Sequence, residues 1–429
     1  MPRHHTTATE TDAAAAELHA GLAATLRPAL QQDAVADAVA ALPRHSFLPG
    51  IPLTEVYHPD TTVRVPLAGG PSTVHVVSAR LSAAILDTAR IQRGDSVLVV
   101  GAGTGLIPAL AAHCTGPTGS VVAVEIDPTA AALARDLLAV HAAHVHVAAG
   151  DGATFQGSPG AYDRIIVTAA ASDLAPSWIT QLRHDGILTV PLRLRGATYL
   201  LAGTRPRPSA PGTVRATPTR LIALNRLTGT LPTGTHTRAL AYQWRLEADD
   251  DQLCHTRPPR PEWINQSLTV PARVFWTKLQ IPPTLTTTGL WLRLAATETG
   301  SCRLSTPTDV PLEIPIGSGH SGPAVAYQGD LAYLTSRPVP GTTGTVELGV
   351  AFHGPGAHHI AVRIARLLRE WRASPHRTWS LDIGPDPAPV SARIHRPGVI
   401  HTRSHRIVLT DHPPSGAPAA CRPFAGGIE

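Results

Sequence analysis

The sequence has very few lysine and aromatic residues. Lys278 is the single lysine among 429 residues, and Phe, Trp and Tyr together account for 4%. Hydrophobic residues still make up 43%, so the chain has enough apolar surface for a sizeable core, which must consist mainly of Ala, Val, Leu and Ile. This composition excludes wholesale disorder.

Long apolar runs and paired cysteines are also missing. No uninterrupted run of about 18 apolar residues occurs, so no transmembrane helix is predicted. The N-terminal residues lack the basic-then-apolar order of a signal peptide, and we therefore expect a cytoplasmic protein. The cysteines show no metal-binding or redox spacing and are predicted to be buried or incidental thiols, with no metal site; they lie at positions 114, 254, 302 and 421.

The positive charge is confined to one half of the chain. Residues 1–205 carry 13 basic and 16 acidic side chains, and the remainder carries 23 basic and 15 acidic ones. A basic half raises the possibility of a nucleic-acid partner or an acidic partner. Because the arginines are dispersed and not interleaved with aromatic residues, we expect no nucleic-acid partner. Because long apolar runs are missing, we expect no membrane partner either. The oligomeric state is left open.

The first part of the sequence predicts a helical cap followed by a parallel sheet. An Ala-rich stretch over 11–30 and a second one over 34–42 have helical spacing. From Ser96 to about Arg205, short β-branched runs alternate with helical segments, and Asp127 followed by Pro128 marks the start of one helix. Buried strands separated by helices are typical of an open, doubly wound and mostly parallel α/β sheet. We assign residues 1–205 to this domain.

The pattern changes after residue 205. A Pro/Ser/Gly-rich connection leads to probable strands (LWLRLAAT, DLAYLTSRP and TVELGVAF) and to the amphipathic helix HHIAVRIARLLREWRAS. This mixture predicts a smaller α+β domain over 206–385. Residues 386–429 are rich in Pro, Arg and His, with two weak strand candidates, and are predicted to form a tail.

A glycine-rich loop follows the first strand of the alternating region. Its sequence is Gly101-Ala102-Gly103-Thr104-Gly105, and Leu106 stands where a dinucleotide-binding loop would have its third glycine. Glycines allow a tight turn and a close approach to a ligand, and the next helix presents its N-terminal amides. Without a pyrophosphate site, the loop suits an adenosyl ligand with an amino-acid tail.

Two carboxylates are placed to complete this site. Glu125 ends the second strand, where a carboxylate accepts hydrogen bonds from ribose hydroxyls, and Asp151 in a Gly-Asp-Gly run is placed to meet an adenine amino group. The expected cofactor is S-adenosylmethionine. The predicted cofactor-binding residues are Gly101, Gly103, Thr104, Gly105, Glu125, Ile126, Asp151 and Gly152.

Together these motifs resemble those of the protein-L-isoaspartate O-methyltransferases. The similarity runs over about residues 12–205 and includes PRHSFLPG, VLVVGAGTG, AVEID, GDG, YDRIIVTAAA and LRHDGILTVPLR. LPGIPLTEVY, DLAYLTSRP and ELGV are similar to the long actinobacterial FxLD-type methyltransferases. The resemblance implies a Rossmann-like class I methyltransferase sheet. It also implies methylation of an aspartyl or isoaspartyl carboxylate in a protein or ribosomally made peptide, and we expect the basic second domain to select an acidic precursor peptide.

The sequence departs from this family at one position. The family places a Thr-x-Ser upstream of the glycine loop, and here Thr73 is kept while His75 replaces the serine. A carboxylate of pKa ~4 needs no general base, only an oxygen held ~3 Å from the methyl group. We predict Thr73 and His75 as catalytic residues. The predicted substrate contacts are Ser72, Thr168, Ala169 and Ala170.

Two other functions remain open. The same fold would serve a tRNA or small-molecule methyltransferase. Alternatively, because His75 replaces the family serine, the chain would be a catalytically silent S-adenosylmethionine-binding module that escorts a peptide to other enzymes.

Overall fold

The computed structural model describes most of the chain. The described residues are 8–205, 212–222, 227–231, 235–249, 260–282, 285, 288–306, 321–375, 377–388 and 397–412. Within these ranges, no helix combines the length and the apolar character needed to cross a membrane.

The first half alternates helices and strands as the sequence predicts. In chain order its elements are α1 (Ala8–Leu26), α2 (Asp33–Ala41), α3 (Leu53–Val56), β1 (Val63–Pro66), β2 (Thr73–Val76), α4 (Ala79–Ala89), β3 (Ser96–Val100), α5 (Leu106–Thr115), β4 (Ser120–Glu125), α6 (Pro128–His141), β5 (His146–Ala149), β6 (Tyr162–Val167), α7 (Pro176–Gln181), β7 (Leu182–Leu194) and β8 (Ala197–Thr204).

The second half contains more strands than helices. Its elements are β9 (Val214–Ile222), β10 (Thr235–Ala239), β11 (Arg245–Asp249), α8 (Pro261–Leu268), β12 (Arg273–Ile281), α9 (Thr288–Thr297), β13 (Ser301–Ser305), β14 (Ser321–Tyr327), β15 (Asp330–Pro338), β16 (Val346–His353), α10 (Ala357–Ala373), β17 (Thr378–Pro385), β18 (Val399–His401) and β19 (His405–His412).

The main sheet confirms the predicted α/β class. Its strand order is β18-β19-β17-β9-β8-β7-β6-β3-β4-β5, and the pairings from β7 through β6, β3 and β4 to β5 are parallel. Both faces of β3 are buried, with Val97 and Val99 in one apolar cluster and Leu98 and Val100 in another. Burial on two faces explains why these strands appear in the sequence as continuous apolar runs.

The predicted start of α6 is confirmed in atomic detail. Oδ1 of Asp127 accepts hydrogen bonds from the amides of Thr129 (2.8 Å) and Ala130 (3.2 Å), and Pro128 occupies the first helical turn. This N-cap satisfies two amides that have no partner inside the helix. It also fixes the chain two residues after Glu125, at the carboxyl end of β4.

The domain boundaries need correction. The strands β9, β17, β18 and β19 continue the main sheet by antiparallel pairing, although the sequence assigned them to a separate domain and a tail. The reason is burial: Leu381, Ile383 and Ile407 pack into the same apolar cluster as β7 and β8. The described part of the predicted tail contains β18 and β19, whereas residues 413–429 lie outside the described part.

A second correction concerns LWLRLAAT, which was predicted as a strand and forms helix α9. Leu290 and Leu294, one helical turn apart, face the core of the second sheet, while Trp291 and Ala295 face the core of the main sheet. A helix buried on two sides is apolar all round and shows no amphipathic period, so its sequence resembles a buried strand.

Strands β10 to β16 form a second, antiparallel sheet in the order β10-β11-β13-β14-β15-β16-β12, and β1 and β2 pair with each other as a separate two-stranded ribbon. The amphipathic helix α10, which the sequence predicts, packs its apolar face against this sheet, and its residues Ile360, Ile364 and Leu368 are buried. The strands predicted at DLAYLTSRP and TVELGVAF correspond to β15 and β16.

The turn between β7 and β8 joins the two sheets. Nη1 of the buried Arg195 donates hydrogen bonds to the carbonyl oxygens of Ala295 and Glu298 at the end of α9. A Cβ on the adjacent Gly196 would lie 2.6 Å from the amide nitrogen of Arg303 and from the carbonyl oxygen of Glu247. The backbones therefore approach closely, and the turn fits tightly against the second sheet.

Candidate active site

A crevice of about 380 Å³ opens at the carboxyl ends of β3 and β4. Its lining includes residues of β2, the glycine loop, the end of β4, Gly152 after β5, the turn after β6 and the short segment 227–228. A crevice at this end of an open α/β sheet is the usual ligand site of such folds, and the volume suits a small molecule.

The glycine loop can adopt its path only with glycine at its turning points. The φ angles of Gly101, Gly103 and Gly105 are +91°, +59° and +90°. A Cβ at Gly101 would collide with the hydroxyl of Thr168, and one at Gly103 would point across the gap towards Val74 of β2, 3.5 Å from its Cγ1. The absent side chains leave the backbone open to a ligand at this point.

Glu125 is held rigidly at the edge of the crevice. The amide of Gly103 donates to its Oε2 at 2.8 Å, and the amide of Asp127 donates to its Oε1 at 3.2 Å. A carboxylate oxygen can accept more than one hydrogen bond, so each oxygen of Glu125 can still accept one from a hydroxyl of a ligand.

The hydroxyl of Thr104 is a second feature that fits a polar ligand. Thr104 lines the crevice and is 1% exposed, and its Oγ1 has no hydrogen-bond partner among the described residues. Because a buried hydroxyl without a partner is costly, a ligand with a polar tail at this place would supply the missing bond.

Asp151 lies behind the crevice and does not line it. Its Oδ1 accepts a hydrogen bond from the amide of Ala153 (2.8 Å), and its Oδ2 accepts from the amide (2.5 Å) and the hydroxyl (2.7 Å) of Thr230. Burial works against ionisation, but the hydrogen bonds from Thr230 and Ala153 outweigh it and hold the pKa of Asp151 below its ordinary value.

Strand β2 contributes Thr73 and His75 to the lining of the crevice, and both residues are exposed. In the β1–β2 ribbon, Arg64 is paired directly opposite His75, and it too is exposed. Directly opposite residues of an antiparallel pair lie on the same face, so a guanidinium and an imidazole share one face of the β1–β2 ribbon, although Arg64 itself does not line the crevice. The sequence analysis missed Arg64, because only the pairing of two short strands brings it to this place.

Most of the predicted site residues are brought together in the crevice. Its lining includes Thr73, His75, Gly101, Gly103, Thr104, Glu125, Ile126, Gly152, Thr168 and Ala169. Four others lie outside the lining: Ser72, Gly105, Asp151 and Ala170. The roles of all these residues remain predictions.

The sequence analysis also missed Leu227 and Thr228, which line the crevice from the second half of the chain. The amide of Leu227 donates to the carbonyl oxygen of Ala170 at 2.8 Å, which holds the segment beside the turn after β6. Placing the domain boundary at residue 205 concealed this contribution. In the described ranges, no group of His, Cys, Asp and Glu side chains is arranged to hold a metal ion.

The open sheet and the crevice at the ends of β3 and β4 define a class I S-adenosylmethionine-dependent methyltransferase. The chain belongs to the protein-L-isoaspartate O-methyltransferase family. The sequence pattern of the family described as protein-L-isoaspartate(D-aspartate) O-methyltransferase matches residues 21–210.

The family is supported by its archaeal relatives. The chain is 34% identical over 164 residues to the protein-L-isoaspartate O-methyltransferase of Ignicoccus hospitalis, covering 38% of this chain and 75% of that protein. It is 35% identical over 159 residues to protein-L-isoaspartate O-methyltransferase 2 of Archaeoglobus fulgidus, covering 37% and 70%.

Solved structures give a looser likeness. One described as a protein-L-isoaspartate O-methyltransferase aligns with a TM-score of 0.47 and 18% identity, covering 85% of this chain and 96% of that one. A Plasmodium falciparum protein described in the same terms, solved with S-adenosyl-L-homocysteine, aligns with a TM-score of 0.42 and 16% identity over 49% of this chain and 98% of that one.

Proposed function

We propose that this chain transfers the methyl group of S-adenosylmethionine to the side-chain carboxylate of an aspartyl or isoaspartyl residue in a protein or a ribosomally made peptide. The observation that carries the proposal is a single crevice that combines the glycine loop and Glu125 on one side with Thr73 and His75 on the other.

The residues present fit the cofactor. Gly101 and Gly103 line the crevice without a side chain, the hydroxyl of Thr104 has no partner among the described residues, and Glu125 is oriented by two amides. In the proposed site, the loop and Thr104 hold the methionine part and Glu125 the ribose. The predicted adenine contact of Asp151 fits less well, because Asp151 does not line the crevice and its carboxylate oxygens accept hydrogen bonds from Ala153 and Thr230. When bound, S-adenosylmethionine supplies an electrophilic methyl group on its sulfonium.

The protein's part in the reaction is to hold the substrate carboxylate. A carboxylate of pKa ~4 is already ionised at neutral pH, so no base has to remove a proton. Thr73 and the imidazole N–H of His75 donate hydrogen bonds that orient it, and Arg64 adds positive charge on the same face. Leu67, Leu106 and Leu227 line the crevice and exclude water around the reacting oxygen.

We propose further that the chain acts in peptide maturation, like the FxLD-type methyltransferases that its sequence resembles, and that its second half selects the peptide. The family match ends at residue 210, and the residues from 206 onwards hold the entire positive excess of the chain. A surface of this charge favours an acidic precursor peptide.

Labelled S-adenosylmethionine tests the reaction directly. The purified chain is incubated with an isoaspartyl peptide and, separately, with an acidic peptide encoded beside its gene. We expect label on one of the two peptides, and we expect mild alkali to release it because methyl esters hydrolyse under those conditions. Alkali-stable label on tRNA or on a metabolite would overturn the proposal. An Asp→Asn version of the peptide, which lacks the carboxylate, is the matched control.

One observation favours the silent alternative, namely His75 at the position of the family serine. We therefore compare the parent chain with His75→Ser in the same assay. Transfer by the parent chain supports the enzyme, whereas transfer that appears only in His75→Ser supports a silent module.

A further inference from the structure

The turn after β6 is tied to the rest of the protein at four successive points. Thr168 donates through its hydroxyl to the carbonyl oxygen of Gly101 (2.9 Å), and Ala170 accepts from the amide of Leu227 (2.8 Å). The amide of Ala171 donates to the carbonyl oxygen of Pro191 on β7 at 2.8 Å. The fourth tie, at Asp173, comes from the far end of the chain.

Asp173 is bound by the turn between β18 and β19. Its Oδ1 accepts from Nδ1 of His405 (2.6 Å) and from the hydroxyl of Thr402 (2.9 Å), and its Oδ2 accepts from the amide of Ser404 (2.8 Å). The amide of Leu174 also donates to Oδ1, at 2.8 Å. This set of contacts joins residues more than 220 positions apart.

The pair is buried: Asp173 is 2% exposed and His405 is 4% exposed. Burial alone would raise the pKa of Asp173, but the hydrogen bond and the charge of His405, with the bonds from Ser404 and Thr402, hold that pKa below its ordinary value. The carboxylate is therefore ionised, and Nδ1 of His405 is the donor. Losing one partner of such a pair leaves a buried charge undercompensated and is costly.

A second histidine–carboxylate pair on the same hairpin does not reach the turn. Nδ1 of His401 contacts Oδ2 of Asp386 at 2.6 Å, and the two side chains are as buried as the first pair. Asp386 follows β17 directly, so this pair joins C-terminal strands to each other. It offers a matched control for the pair that joins the hairpin to the turn.

We propose that Asp173 and His405 are positioning residues, through which the β18–β19 hairpin sets the substrate-facing turn at Thr168–Ala170. The inference rests on the proposed function, because that function makes Thr168 and Ala169 neighbours of the substrate. The C-terminal hairpin then acts on substrate binding through the turn, and none of its described residues lines the crevice.

The test compares two substitutions that differ only in where they place an amide nitrogen. His405→Asn puts a donor near the position of Nδ1, and His405→Gln puts one near the position of Nε2. We expect His405→Gln to raise the KM for the peptide about tenfold or more, while its kcat and its Kd for S-adenosylmethionine stay within about twofold of the parent values. We expect the KM of His405→Asn to stay within about threefold of the parent KM. His401→Gln is expected to leave all three constants within about twofold.

Hydrogen exchange provides a readout that needs no substrate. Amides 168–173 are expected to exchange faster in His405→Gln than in the parent chain and in His401→Gln. Equal exchange in the three proteins, or an equal rise in KM for both Gln variants, would overturn the positioning role. If the parent methylates no peptide, the proposed function fails, while the exchange experiment still decides whether the hairpin holds the turn. Should His405→Gln not fold, Thr402→Val removes another donor to Asp173 and takes its place in both measurements.

Discussion

The backbone amide of Gly103 donates a hydrogen bond to Oε2 of Glu125 at 2.8 Å, so the glycine loop and the carboxylate at the end of β4 hold each other in place. The amide of Asp127 fixes the second oxygen. The carboxylate of Glu125 therefore orders the loop in the absence of a ligand. Its oxygens can also accept hydrogen bonds from a bound ligand.

This double role predicts the effect of Glu125→Gln. The amide side chain keeps one acceptor oxygen but presents an NH2 group to a backbone N–H, so both the loop geometry and the ribose contacts suffer. Hydrogen bonds to charged groups contribute about 1.5–3 kcal/mol, which predicts a ten- to hundredfold rise in the Kd for S-adenosylmethionine, measured by calorimetry.

The control for this substitution is Asp136→Asn, a change of the same kind at an exposed position of α6. Its Kd is expected to stay at the parent value. A Glu125→Gln protein that binds with unchanged affinity would remove Glu125 from the cofactor site.

The close contact at Gly196 predicts that the β7–β8 turn is essential for stability. Gly196 has φ +85° and no room for a Cβ, whereas Gly341 has φ +77° and no neighbouring atom within 4 Å of the position that a Cβ would take. Alanine at Gly341 meets only the backbone strain of about 1–2 kcal/mol. Alanine at Gly196 adds the cost of displacing two backbones, a further ~1–3 kcal/mol.

Urea unfolding followed by circular dichroism checks this difference. The free energy of unfolding is expected to fall clearly more for Gly196→Ala than for Gly341→Ala. Equal losses would show that the turn adapts and that the two sheets do not depend on its close fit.

The sequence predicted the parallel half of the main sheet because its signals are local. Apolar runs such as β3, the N-cap at Asp127 and the glycine loop each lie within a few residues. The meeting of Glu125 with the glycine loop was predicted for the same reason. Glu125 and Gly101–Gly105 occupy fixed places at the ends of neighbouring strands, where the topology brings them together.

What the sequence did not predict depends on long-range pairing. Leu227 reaches the crevice only because β9 pairs with β8, and His405 meets Asp173 only because β19 joins the far edge of the sheet. No periodicity in these segments identifies their partners. The helix α9 was mistaken for a strand because burial against two cores removed its polar face.

The depressed pKa of Asp173 predicts a contribution to stability that depends on pH. The pKa of Asp173 is lower in the folded protein than the value of about 3.9 expected in the unfolded chain. Its ionised carboxylate therefore contributes fully to stability at pH values above about 3.9, and this contribution is lost as the pH falls through the folded pKa. The free energy of unfolding of Asp173→Asn should therefore lie well below that of the parent at pH 6 and approach it at pH 3. Asp136→Asn serves as the exposed control. If the difference in unfolding free energy between Asp173→Asn and the parent were the same at pH 6 and pH 3, the predicted pH dependence would be wrong.

The pairing of Arg64 with His75 predicts an electrostatic contribution to substrate binding. Both side chains are exposed on the same face of the β1–β2 ribbon, and the proposed substrate group is an anion. Arg64→Ala is expected to lower kcat/KM for the peptide about five- to tenfold at low salt, and the deficit should shrink as salt screens the parent's advantage. Arg93→Ala, an exposed arginine in the loop before β3 at the opposite end of the sheet, is expected to have no such effect. The same salt dependence in both variants would mean that Arg64 acts only through the net charge of the protein, and that His75 and Thr73 alone orient the carboxylate.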